Sequence, residues 1–115
     1  MLRINCHRGE VWFADYGEAR GREQAGRRPC LILSDDRFNR SAADLVIAVP
    51  FTSQRKAVPS HVEVNPPEGG LTLPSFIKCE DVRAISTERL LRLMGTVNTS
   101  TLDKVGHRLR LLLNM

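Results

Sequence analysis

The chain has 115 residues, 42% of them apolar, with 17 Lys and Arg against 13 Asp and Glu and a net charge of +4. That length suits one hydrophobic core and a single domain over residues 1–115, and it excludes a two-domain enzyme. No apolar run approaches a membrane span, and Met1 to Arg8 carries no apolar signal region, so neither a membrane protein nor an exported one is expected.

Taken in order, Gly9 through Tyr16 reads as a first strand, because Val11, Trp12, Phe13 and Tyr16 have high β-propensity and Gly17 ends the run. Residues 17–26 form a polar loop with Gly17, Gly21 and Gly26, carrying Arg20, Arg22, Glu23 and Gln24. Polar loops on rigid scaffolds are where binding residues concentrate. The loop runs straight into a second strand, Pro29 to Leu33, at whose mouth sit Arg27 and Arg28. Pro29 fixes one φ angle there, so a guanidinium at that edge is partly pre-ordered and presents a planar fork suited to phosphate oxygens. An arginine pair that simply caps a strand and faces water would look the same in sequence.

Ser34-Asp35-Asp36 is a helix-start signal that predicts a short helical turn through Asn39. Leu45 to Val49 is another uninterrupted apolar run, closed by Pro50-Phe51-Thr52-Ser53. Two neighbouring strands without alternation must be covered on both faces, which predicts a closed barrel or strongly wrapped sheet. The connection between them is too short for a parallel crossover, so they are expected as antiparallel neighbours. The start of one and the end of the other then share an edge, which sets Arg28 near Thr52.

Further strands are predicted at His61 to Val64 and from Phe76 to Ile85, separated by the Asn65 to Gly70 loop, with Glu80, Asp81 and Arg83 exposed or paired. Ser86 to Leu90 has capping chemistry for one helical turn, and Leu93 to Val97 suits strand or helix equally by propensity. Asn98 can cap a C-terminal helix in which Leu102, Val105, Leu109 and Leu112 fall at helical spacing. Leu111 and Leu113 widen that apolar surface toward either a subunit interface or a greasy terminal helix.

Cys6, Cys30 and Cys79 give an odd count without a Cys-x-x-Cys pair, so reduced thiols in a cytoplasmic setting are expected, with Cys30 and Cys79 as small buried hydrophobes. His7, His61 and His107 match no metal-ligand spacing, and the last two are expected at the surface. No cofactor is expected. Walker, dinucleotide and nucleophile-elbow patterns are missing from the sequence, which removes nucleotide hydrolysis and serine-hydrolase chemistry. The basic excess is compatible with a polyanionic partner, although charge alone speaks to association and not to fold.

Five motifs in register carry a sharper signal. Gly9-Glu10-Val11-Trp12, Glu23 through Pro29, Asp36 through Asn39, Pro50-Phe51-Thr52-Ser53 and Glu80-Asp81-Val82-Arg83 resemble the successive motifs of the MazF/PemK family of toxin endoribonucleases, over nearly the whole chain. The resemblance implies a β-dominated α+β fold: a compact SH3-like barrel of antiparallel strands with short helices and a C-terminal helix, in which Leu93 to Val97 is a strand. It also implies a homodimer, neutralisation by a cognate MazE-like antitoxin, and metal-independent, sequence-specific cleavage of single-stranded RNA, that is, an mRNA interferase. By the same resemblance Arg28 and Thr52 are the catalytic pair, and Glu23, Gln24, Arg27, Ser53, Gln54 and Asp81 bind substrate. Asp81 departs from the Gln that many relatives carry after the Glu, which bears on base preference.

Without a metal, the economical route is attack by the substrate's own 2′-hydroxyl on the adjacent phosphorus, a group that RNA has and DNA lacks. Arg28 suits charge stabilisation and Thr52 a hydrogen bond to the same phosphate, while a protonated guanidinium is a poor base; Glu23 is the candidate proton acceptor. A gyrase-poison-like protein-binding toxin of similar fold and a non-cleaving RNA-binding module are the competing readings. The first acts through a C-terminal tail bearing Trp, whereas Trp12 is the only tryptophan here and the chain ends Leu-Leu-Leu-Asn-Met.

Overall fold

A computed structural model describes residues 4–18 and 20–115, so the reading of Met1 to Arg3 and the Ala19 position of the first loop lie outside the described residues. Among the described residues seven strands and two α-helices follow in order: β1 (Glu10–Asp15), β2 (Arg27–Ile32), α1 (Asp36–Asn39), β3 (Leu45–Thr52), β4 (His61–Val64), β5 (Ser75–Lys78), β6 (Arg83–Ser86), β7 (Leu90–Thr96) and α2 (Thr99–Leu113). The strands hydrogen-bond in the order β4-β5-β3-β2-β1-β7, with β6 also on β3, and every pairing is antiparallel. This is the wrapped antiparallel sheet that the unalternating runs required.

Both faces of the central strands are covered. Val11, Leu31 and Val49 enter one core with Phe51, Val62, Val64, Ile77 and Val105 of α2. Cys30, Ile32, Val46 and Ala48 enter a second with Cys6, Ala14, Tyr16, Ile85 and Leu90. Successive residues of β2 thus serve opposite cores, as a period of two demands. Burying a Leu, Val or Ile fully is worth about 1.5–3 kcal/mol each, so these layers dominate the stability of the sheet. All three cysteines are free and buried, Cys6 included.

Four details differ from the sequence-based expectation. The strand anticipated from Phe76 to Ile85 is interrupted by a 3-10 turn at Cys79–Asp81, because β5 pairs with β3 and β4 whereas β6 returns to the far end of β3. Pro50 does not end β3 but sits inside it, opposite Cys30. Asn98 makes no side-chain capping bond; Glu68 Oε2 instead accepts from Asn98 N at 2.9 Å and from the Thr101 hydroxyl at 2.6 Å. Leu112 stays 47% exposed, beyond the Leu102, Val105 and Leu109 face that packs on the sheet.

The segment that bears Glu68 is locked by a close backbone approach. Gly70 lies at φ +70°, and a Cβ there would sit 2.1 Å from the Met94 carbonyl oxygen of β7. Only glycine allows that contact.

Candidate functional site

The β1–β2 connection is pinned at its base. Gly26, at φ +74°, donates its N–H to Gly17 O at 2.7 Å and accepts from Tyr16 N at 2.9 Å, and the register then sets Ala14 against Arg28. In the β2–β3 pair Cys30 faces Pro50, Leu31 faces Val49 and Ile32 faces Ala48. Continued by two residues, that register opposes Arg28 to Thr52. Arg28 and Thr52 share the strand face of Cys30, Ile32 and Ala48, and where that buried layer ends the face opens into a groove of about 780 Å³.

Arg28 is braced within it. Its Nε donates to Ala25 O at 2.7 Å and its Nη1 to Phe51 O at 3.2 Å, while Nη2 has no protein partner among the described residues. Thr52 is buried, and its Oγ1 accepts from Gln54 N at 3.2 Å. With that lone pair engaged, the hydroxyl proton remains available for donation. A guanidinium and a hydroxyl donor on one wall, both held by backbone groups, can together stabilise negative charge on a phosphoryl group.

Glu23, Gln24, Ser53, Gln54 and Asp81 line the same groove. Asp81 acts there largely on the protein itself, since its Oδ2 accepts from Gln24 N at 2.7 Å and lies 3.9 Å from Lys78 Nζ. Lys78 Nζ donates to Arg22 O at 2.6 Å, and Glu23 Oε2 is 3.5 Å from Arg83 Nη1. Three consecutive loop residues, 22 to 24, are therefore strapped to the 78–83 segment. Arg27 lies on the opposite face of β2, 3.6 Å from Asp15, outside the main groove but bordering a smaller cleft that Arg28, Thr52 and Ser53 also line. The side-chain alternation of the strand separates it from Arg28.

The groove lining also includes residues outside the expected set, a buried histidine and its carboxylate partner among them. His61, expected at the surface, has only 4% of its side chain exposed and pairs through Nε2 with Glu80 Oε2 at 3.0 Å. Ser60 donates to Glu80 Oε1 at 2.6 Å. Burial pushes the Glu80 carboxyl up, but the hydrogen bonds from Ser60, its own backbone and His61 outweigh that and hold it below the ordinary carboxylate range. The β4–β5 register that sets His61 opposite Lys78 brings them together, and no local pattern reports it. With Arg22, Lys56 and Lys78, the lining carries cations beside the three carboxylates of Glu23, Glu80 and Asp81.

Residues 7–113 match the model of a family described as PemK-like, MazF-like toxin of type II toxin-antitoxin system. The chain is 36% identical over 113 residues to endoribonuclease MazF9 of Mycobacterium tuberculosis, covering 94% of this chain and 96% of that one. Its fold is similar to the crystal structure of MazF from Deinococcus radiodurans, with a TM-score of 0.86 at 26% identity, over 97% of this chain and 99% of that one. It is also similar to an endoribonuclease solved in complex with its cognate antitoxin from a mycobacterial species, with a TM-score of 0.78 at 26% identity and 96% of each chain covered.

Proposed function

The chain belongs to the PemK-like, MazF-like toxins of type II toxin–antitoxin systems, and from that premise we propose that it is an endoribonuclease that cuts single-stranded RNA in the groove between Arg28 and Thr52. The observation that carries this reading is the opposition of those two side chains on one wall, each braced by the backbone before any ligand arrives.

The 2′-oxygen of the substrate attacks the adjacent phosphorus, the bond to the 5′-oxygen breaks, and the products are a 2′,3′-cyclic phosphate and a 5′-hydroxyl. Arg28 neutralises charge gathering on the non-bridging oxygens, and the Thr52 hydroxyl donates to one of them. Glu23 is the acceptor for the 2′-hydroxyl proton, and the leaving 5′-oxygen takes a proton from solvent. In the free protein Glu23 is paired with Arg83, so substrate has to draw the loop inward for that role.

The partners follow from the same reading. A cognate antitoxin of the MazE kind occupies the basic groove with an acidic segment, and two copies of the chain pair through exposed leucines such as Leu91, Leu93 and Leu111. No helix among the described residues is long and apolar enough to cross a membrane, and the cytoplasm is the proposed site of action.

The test is incubation of the purified chain with long single-stranded RNA of varied sequence in the presence of a chelator, followed by analysis of the ends. Cyclic-phosphate and 5′-hydroxyl ends are expected, with the Arg28→Ala/Thr52→Ala variant inactive. Binding without cutting, or full cleavage by the double variant, would refute the reading.

A further inference from the structure

Glu80 takes no part in the chemistry just described, yet it is the carboxylate of the groove that the protein builds most firmly. Its Oε1 accepts from Ser60 and its Oε2 is held by His61. The two partners of that pair differ in exposure, His61 at 4% of its side chain and Glu80 at 33%, so the imidazole is a buried support and the carboxylate is the part offered to a ligand. His61 Nδ1 is also buried and has no hydrogen-bond partner among the described residues. Burying a ring with one nitrogen unsatisfied carries a desolvation cost. What it provides is a carboxylate whose plane is fixed.

The neighbouring charges leave that carboxylate free for a ligand. Asp81 is engaged by the Gln24 amide, and Lys78 by Arg22 O. An ionised carboxylate accepts hydrogen bonds only, at about four lone-pair sites on its two oxygens. Ser60, His61 and the residue's own backbone N–H hold it from the protein side, and the third of the side chain that stays exposed lies in the groove. Such a group repels phosphate, so the part of an RNA strand it can hold is a base edge with N–H donors. Two acceptors side by side match two donors on adjacent atoms, and among the RNA bases only guanine, through N1–H and N2–H, has these on its Watson–Crick edge. Single-stranded RNA leaves that edge open to a protein.

We propose that Glu80, oriented by Ser60 and His61, selects a guanine in the single-stranded RNA by accepting both N–H groups of its Watson–Crick edge. The proposal rests on the reading of the chain as an RNA-cutting toxin and adds one letter of the sequence it cuts. Glu80 is the specificity-determining residue; Ser60 and His61 are positioning residues that act through it.

The test uses the full chain and a random single-stranded RNA pool, with the cleaved ends sequenced, and then a defined RNA carrying guanine or inosine at the selected position. The recognised word should contain a guanine. Inosine keeps N1–H and lacks the 2-amino group, so the swap should lower kcat/KM by about ten- to a hundredfold, the range for losing one charge-assisted bond of a bidentate pair. In Glu80→Gln the guanine-to-inosine ratio should fall to within about threefold, and in His61→Leu the ratio should fall while His61→Gln, which still donates to Glu80, restores part of it.

A recognised word without guanine, or an unchanged ratio in Glu80→Gln, overturns the proposal. If that ratio is unchanged while the variant loses affinity for an acidic antitoxin segment, the carboxylate serves a protein partner and the proposal falls as well. Should Glu80→Gln not fold, wild-type binding to RNAs blocked by a 2′-deoxy at the scissile nucleotide decides it, equal affinity for guanine and inosine being refutation. A wild-type chain that cuts no RNA defeats the functional reading itself, which this arm separates from the loss of base choice.

Discussion

Thr52 offers a test that separates the loss of stability from the loss of activity. Its side chain is 7% exposed, its methyl group is part of the wall of the sheet, and its hydroxyl accepts from Gln54 N. Thr52→Val keeps the shape and removes the hydroxyl. Gln54 is exposed, so its amide can turn to water and the loss in folding stability should stay near 0.5–1 kcal/mol. If the hydroxyl donates to the phosphate in the transition state, kcat should fall about 10²- to 10³-fold with KM little changed. Thr52→Ser reverses the pattern: it removes a buried methyl, at a cost of about 1 kcal/mol in stability, yet keeps the donor and should keep kcat within about tenfold. Urea denaturation gives the first quantity for each variant, and steady-state cleavage of a short fluorogenic RNA gives the second. Equal kcat for Thr52→Val and wild type, or equal losses in the Val and Ser variants, would show that the hydroxyl plays no part.

Other consequences concern the strap, the helix start and the thiols. Asp81→Ala removes the acceptor of the Gln24 amide, and with about 1 kcal/mol of loop order lost, KM for RNA should rise roughly fivefold while kcat changes less; an unchanged KM in steady-state assays would contradict the strap. Glu68→Ala should cost about 1–2 kcal/mol in urea melts because it releases both Asn98 N and the Thr101 hydroxyl, whereas Asn98→Ala should cost only about 0.5 kcal/mol, the reverse of a conventional Asn cap. Burial pushes the thiols of Cys30 and Cys79 up to about 12 from the ordinary 9.0. Because the folded state holds these protons more tightly than the unfolded chain, their contribution is fully present below about pH 9 and is lost as pH rises toward 12, so stability should fall over that alkaline interval. Titration with an aromatic disulfide reagent at pH 8 should leave both thiols unmodified until the chain is unfolded.

The local pattern of the chain was enough for much of this molecule. The apolar runs at Leu31 and Val46 demanded cover on both faces, and two cores meet that demand. Ser34-Asp35-Asp36 started a helix, with Asp35 as the cap that accepts from Arg37 N. The 3.6-residue stripe of α2 named Leu102, Val105 and Leu109 as its packed face. These features depend on neighbours a few positions apart, so they are written into a single stretch. The antiparallel reading of β2 and β3 also came from a local fact, the shortness of the link between them, and it already set Arg28 near Thr52.

Register and what packs across it decided the rest. Arg27 and Arg28 are alike in composition and adjacent in the chain, yet the pleat sends one to Asp15 and the other to the groove. Nothing near His61 reports that the turn after β5 will set Glu80 beside it and bury the ring, nor does the run from Phe76 to Ile85 reveal that its two ends must pair with different parts of β3. Glu68 caps a helix thirty residues away because Gly70 lets its turn close on β7. Such contacts join residues far apart in sequence, and their free energy exists only once the strands between them have paired. Propensity and periodicity, which are sums over neighbours, therefore hold no record of them.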